Sequence, residues 1–135
     1  MKCLIVEDDF SARRLMQRYL SNHGHCDVAV DGLEAVNAFR KATEDNELYD
    51  LICFDIMMPN MDGREALKAI RQIESEQGID GLDRVKVIMT TALDDSKNVM
   101  GAFSEGCEAY VVKPVDKNKL YEEMEKLGLI KLEVS

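Results

Sequence analysis

The chain has 135 residues, 46% of them apolar and 32% charged, which suits one compact globular domain with a sizeable core. Its net charge of −9 disfavours nucleic acid and anionic membranes as partners, because both repel such a surface. The four cysteines, Cys3, Cys26, Cys53 and Cys107, have neither CxxC pairing nor metal-ligand spacing. The apolar run Cys3–Val6 is too short for a signal peptide and no stretch approaches a membrane span, so the expected compartment is the cytoplasm.

Five short apolar runs alternate with five helical patterns. The first run, Cys3-Leu4-Ile5-Val6, ends in Glu7-Asp8-Asp9. A helical stripe follows at Ala12, Leu15, Met16, Tyr19 and Leu20. The second, weaker run is Cys26–Val30, and Ala35, Val36 and Phe39 mark the next helix. The third run, Leu51-Ile52-Cys53-Phe54, ends in Asp55 and precedes a stripe at Ala66, Leu67, Ile70 and Ile73. The fourth is Val85–Met89, ending in Thr90-Thr91, with Val99, Met100 and Phe103 beyond it. The fifth, Ala109–Val112, ends in Lys113-Pro114, and Leu120, Met124 and Leu127 mark the last helix. Asp9, Asp31, Asp62 and Asp116 are placed to cap helix starts, and Gly24, Gly106 and Gly128 to stop helices.

Near-continuous apolar runs suit parallel strands covered on both faces. The strict alternation therefore predicts an α/β fold: a doubly wound, flavodoxin-like sheet of five parallel strands in the order 2-1-3-4-5, with helices on both faces. Residues 1–128 form the expected domain and 129–135 a C-terminal tail. In that tail Ile130, Leu132 and Val134 alternate with charges, as in a strand that adds to an edge or a partner. The long connections Thr43–Asp50 and Ser75–Arg84 are expected as surface loops at the opposite end from the site.

All the carboxyl ends of a parallel sheet lie along one edge, and ligands bind there where strand order reverses. Glu7, Asp8 and Asp55 are thus expected to converge. Two such charges 4 Å apart cost about 4 kcal/mol at an effective dielectric near 20, so a hard cation with oxygen ligands is needed, and Mg²⁺ fits best. Lys113 adds a second positive charge. A carboxylate can attack phosphorus, and phosphoryl transfer needs chiefly placement and charge neutralisation. Asp55 as nucleophile, with the cation, Lys113 and the Thr91 hydroxyl on the equatorial oxygens, is a sufficient set.

These residues resemble the receiver domain of two-component response regulators. The matching stretches are Leu4–Asp9, Asp50–Gly63, Ile88–Ala92 and Tyr110–Pro114, in the expected order along essentially the whole chain. The resemblance implies that Asp55 is phosphorylated, that Glu7 and Asp8 form the acidic pair, and that the Met57 backbone carbonyl is a further metal ligand. It implies that Thr91 is the switch hydroxyl, that Lys113 contacts the phosphoryl group and that Tyr110 is an aromatic switch turning inward with Thr91. Ala92 and Pro114 would support them, with the Lys113–Pro114 bond cis.

The implied donor is a sensor histidine kinase or histidine phosphotransfer protein, and the implied output passes to a protein effector through helix 4, strand 5 and helix 5. On this reading the chain is a stand-alone monomer or weak dimer and no enzyme beyond its own phosphoryl uptake and hydrolysis. Motor binding, a relay and allosteric control remain open, although Leu93-Asp94-Asp95 is more acidic than the loop of the chemotaxis receiver. Met57 and Leu93 are both apolar where water would approach, which implies slow phosphate loss. An aspartyl phosphatase needs a second acid two residues after the nucleophile, where Met57 stands. A flavin carrier needs a phosphate loop where this chain has acids. His23 and His25 read as surface residues rather than phosphodonors. Met57, Met58 and Met61 read as packing around the loop after strand three.

Overall fold

A computed structural model describes residues 1–58, 61–92 and 96–131. The expected tail pattern from Leu132 on and the loop Leu93-Asp94-Asp95 lie outside the described residues. The elements alternate as expected: β1 (Lys2–Val6), α1 (Phe10–Ser21), β2 (His25–Ala29), α2 (Gly32–Glu44), β3 (Leu51–Asp55), α3 (Gly63–Glu76), β4 (Lys86–Thr91), α4 (Ser96–Glu105), β5 (Ala109–Val112) and α5 (Lys117–Lys126). One turn of 3₁₀ helix, Gly81–Asp83, leads into β4. The five strands are parallel in the order β2-β1-β3-β4-β5.

Each strand sends alternate side chains to opposite faces, and both faces are covered. One face packs Leu4, Val6, Ile52, Phe54, Val87 and Met89 against α2, α3 and α4 through residues such as Phe39, Leu67, Ile70 and Ala102. The other packs Cys3, Ile5, Leu51, Cys53, Ile88 and Val111 against α1 and α5 through Met16, Leu20, Leu120 and Met124. β3 is buried along its whole length, which explains its unbroken apolar run. Leu129 and Ile130 continue onto the second face, beside Tyr121 and Leu127.

The aspartate caps are in place. The side chains of Asp9, Asp31, Asp62 and Asp116 accept the free backbone N–H groups of Ala12, Glu34, Glu65 and Asn118. Gly106 and Gly128 follow α4 and α5 with φ of 104° and 77°. Gly24 differs from expectation. α1 ends three residues earlier, and the glycine is needed because a Cβ there would lie 1.9 Å from the Met1 carbonyl oxygen. The α4 stripe also differs: Met100 is 72% exposed and Phe103 is exposed too, while the fully buried Ala102 and the half-buried Val99 face the sheet. The helix leans on the sheet through its smallest side chain, which a search for large apolar residues passes over.

Candidate functional site

Glu7 and Asp8 follow β1 directly, and Asp55 is the last residue of β3, the neighbouring strand. One carboxylate oxygen from each lies within 4.8 Å of the other two. Glu7 is 3% exposed and Asp55 7%, whereas Asp8 is open to solvent. Lys113, after β5, crosses the top of β4 to reach them: its Nζ is 2.6 Å from Glu7 Oε1 and 3.1 Å from Asp55 Oδ2. Two of the three acids thus share one ammonium, with Asp8 beside them, and the site keeps an excess of negative charge.

The electrostatics follow from that imbalance. Burial, then the hydrogen-bonding Asp55, raises the Glu7 carboxyl above its ordinary value, and Lys113 offsets only part of this. Burial acts to lower the Lys113 ammonium, but hydrogen bonds to Glu7 and Asp55 outweigh it and hold the group above its ordinary value.

Backbone groups fix the rest. The Met57 N–H donates to Asp55 Oδ1 at 3.2 Å, and the Asp9 N–H to Glu7 Oε2 at 3.4 Å. The Gly63 N–H closes the loop onto the Ile56 carbonyl at 2.9 Å. α3 begins so close to β3 that a Cβ on Gly63 would lie 2.5 Å from the Asp55 carbonyl oxygen. Thr91 ends β4, one residue beyond Thr90, which pairs with Asp55. The Thr91 hydroxyl is buried and donates to the Ala92 carbonyl at 3.3 Å. The Lys113–Pro114 peptide is cis, and the Lys113 N–H donates to the Thr91 carbonyl at 2.7 Å.

Tyr110 lies away from this cluster. It is 43% exposed and meets Phe103 edge-on, with ring centroids 6.0 Å apart. Met57 is 63% exposed, so it does not pack around the loop as expected, whereas Met58 and Met61 do lie against the core. His23 packs edge-on against Tyr121, and His25 pairs with Asp27 at 2.9 Å and starts β2 opposite Lys2, at the other end of the sheet from the acids.

Two features escape sequence reading. Arg13 donates from Nη1 to the carbonyls of Glu7 at 2.9 Å and Asp8 at 3.4 Å, clamping the acidic end of β1 from the first turn of α1. The Thr90 hydroxyl donates to the Phe54 carbonyl at 3.3 Å, tying β4 to β3 next to Asp55. Neither has a sequence signal beyond its place near a strand end. A cavity of about 560 Å³ opens beside the acids, lined by Glu7, Ala12, Leu15, Thr90, Lys113 and Pro114.

Comparison with known proteins assigns a family. The family model of the response regulator receiver domain matches residues 3–125. A protein described as probable transcriptional regulator ycf29, from Porphyra purpurea, is 35% identical over 118 residues, covering 87% of this chain and 51% of its own length. Probable transcriptional regulator ycf27 of Guillardia theta is 37% identical over 120 residues, covering 88% of this chain and 42% of its own. The chain therefore spans about half or less of these relatives. Among solved structures, a co-crystal of the Saccharomyces cerevisiae histidine phosphotransfer signaling protein Ypd1 with the receiver domain of its downstream response regulator Ssk1 matches with a TM-score of 0.80 and 28% identity. That match covers 95% of this chain and 88% of the solved one. With the acids, the threonine and the lysine on one sheet edge of this fold, the chain belongs to the response regulator receiver domains, the phosphoacceptor modules of two-component signalling.

Proposed function

We propose that the chain is a stand-alone response regulator that takes a phosphoryl group onto Asp55 from a phosphohistidine of a sensor kinase or phosphotransfer protein. The observation that supports this most is the placement of Asp55 in a buried strand end with two further acids and one lysine. The fit to Mg²⁺ rests on the donor set: hard oxygens, converging and under-neutralised. Glu7, Asp8, Asp55 and the Met57 carbonyl would hold it, and when bound it supplies neutralising charge to the acids and to phosphoryl oxygens.

An Asp55 oxygen attacks phosphorus as the phosphorus–nitrogen bond of the donor breaks; the donor ring, protonated on its other nitrogen, departs as a neutral imidazole and an acyl phosphate is left on Asp55. Lys113 is already within reach of Asp55 and turns to the new phosphoryl oxygens. The Thr91 hydroxyl gives up the Ala92 carbonyl and donates to another. Tyr110, exposed beside Phe103, then follows Thr91 inward. The face of α4, β5 and α5, with Met100, Phe103 and Tyr110 exposed on it, is read as the output surface to a protein effector. A relay role without a direct effector is the second reading, favoured by the likeness to a receiver solved with a phosphotransfer protein. The apolar, exposed Met57 side chain, two residues after Asp55, supports slow phosphate loss. Residues 1–128 are read as the receiver and 129–135 as its tail.

The test is transfer from purified phosphorylated kinases and phosphotransfer proteins of the same genome. Label on an alkali-labile acyl phosphate, abolished in Asp55→Asn and by chelation of divalent cations, is expected. Label retained by Asp55→Asn, or uptake indifferent to chelation, overturns the proposal.

A further inference from the structure

Three of the four cysteines, Cys3, Cys26 and Cys53, share one face of the sheet, and one pair of them is in direct register. Cys3 of β1 is the Cα partner of Cys26 in β2. Both side chains point to the face covered by α1 and α5, where Cys3 is fully buried and Cys26 half-buried against the same cluster. Neighbouring strands lie about 4.8 Å apart, inside the window of about 4.4–6.8 Å that a disulfide requires between Cα atoms. The Cys26 thiol itself donates to the Gly24 carbonyl at 3.8 Å.

The other two thiols are placed differently. Cys53 is on the same face, but Ile5 is its partner in β1 and Leu51 is the partner of Cys3, so Cys53 is diagonal to Cys3 rather than opposite. Cys107 belongs to the opposite face of the sheet. All four are free thiols in this structure.

We propose that Cys3 and Cys26 are an oxidation-sensitive pair that closes to an intramolecular disulfide under a peroxide-class oxidant. Cys26, the half-buried member on the edge strand, is the one a small oxidant reaches. Its thiolate attacks one peroxide oxygen, the O–O bond breaks, hydroxide leaves, and Cys26 becomes a sulfenic acid. The Cys3 sulfur then attacks the Cys26 sulfur, water leaves with the Cys3 proton, and the S–S bond forms. In sum, two thiols and one hydrogen peroxide give one disulfide and two waters. Burial raises both thiols above their ordinary values, Cys3 to about 12, so the closure is slow near neutrality and quickens with pH. The bond would tie the edge strand to β1 four residues before Glu7, whose N–H already donates to the Ala29 carbonyl at the other end of β2.

The test exposes the full chain to hydrogen peroxide under conditions where circular dichroism shows it folded, followed by thiol counting and non-reducing peptide mapping. The expected result is a fall from four free thiols to two, with the mass lower by two hydrogen atoms and the Cys3 and Cys26 peptides linked. Cys53→Ala and Cys107→Ala should still link, and Cys26→Ser should not. Persistence of four thiols, over-oxidation of Cys26 without a link, or links to Cys53, to Cys107 or between molecules would each overturn it.

Discussion

The two ends of this sheet handle charge in opposite ways. At the amino end Arg71 and Glu74 of α3 and Glu108 before β5 form a compensated network. Glu74 is 1% exposed, pairs with Arg71 at 2.7 Å and with Arg84 at 3.6 Å, and accepts the Val85 N–H. Arg71 also pairs with Glu108 at 2.9 Å and donates to the carbonyls of Val85 and Gly106. Glu108 accepts the Val87 N–H at 2.6 Å. At the carboxyl end the buried Glu7 and Asp55 share one lysine, and Asp8 adds a third negative charge beside them. Buried charge that is matched and bound to backbone belongs to the fold, whereas buried charge left in excess belongs to a ligand.

The contrast can be broken most severely at the amino end. Glu74→Ala removes the buried partner of Arg71, leaves that arginine with Glu108 alone and strands the Val85 N–H, and is expected to cost about 3–5 kcal/mol in urea unfolding. Phosphoryl uptake should persist at temperatures where the variant is folded. At the carboxyl end the missing charge can be supplied instead. Mg²⁺ at a hundred times its dissociation constant should stabilise the chain by about 2.7 kcal/mol, an increment that Asp8→Asn loses at the same concentration. Removing an acid should act in the same direction. Asp55→Asn in chelated buffer leaves Glu7 and Lys113 paired and is expected to raise stability by about 0.5–2 kcal/mol, read from the denaturation midpoint.

The smallest effects concern pH, and they differ in sign. Glu7 has a raised value in the folded chain, so the native state binds its proton first. Metal-free stability should therefore rise as pH falls from neutrality towards 4.5, the ordinary value, and Glu7→Gln should flatten that rise. Asp27, beside Lys2 and Tyr49 near the amino end, is the reverse. Burial pushes its carboxyl up, but hydrogen bonds from the Tyr49 hydroxyl at 2.7 Å and the His25 ring outweigh it and leave the carboxyl low. Its contribution is present above 3.8 and lost as pH falls through the lowered folded value. The advantage of wild type over Asp27→Asn, measured by urea midpoint, should accordingly vanish in strong acid.

The carboxyl end was the legible one. Strand periodicity located Glu7, Asp55, Thr91 and Lys113 at strand ends, and parallel topology alone then gathers them on one edge. The amino-end network was illegible, because Arg71, Glu74 and Glu108 sit among many surface charges and only packing distinguishes them. The α4 face failed for a related reason: burial there depends on how near the helix approaches, which Ala102 permits and periodicity does not record. Tyr110 was placed on the right strand, but whether a residue at a sheet margin points in or out is a matter of conformation.

The Arg71 contacts have a mechanical side. Its Nε and Nη2 donate to the Gly106 carbonyl at 3.2 and 2.8 Å, immediately after α4 ends. α4 is thus pinned at one end, and its ten residues make a lever arm of about 15 Å. Tilting about that pivot by roughly 10° displaces the far end by about 2.6 Å, by simple trigonometry on that arm, while Gly106 stays still. A helix held in this way would swing rather than slide, with its travel greatest at the end nearest Thr91.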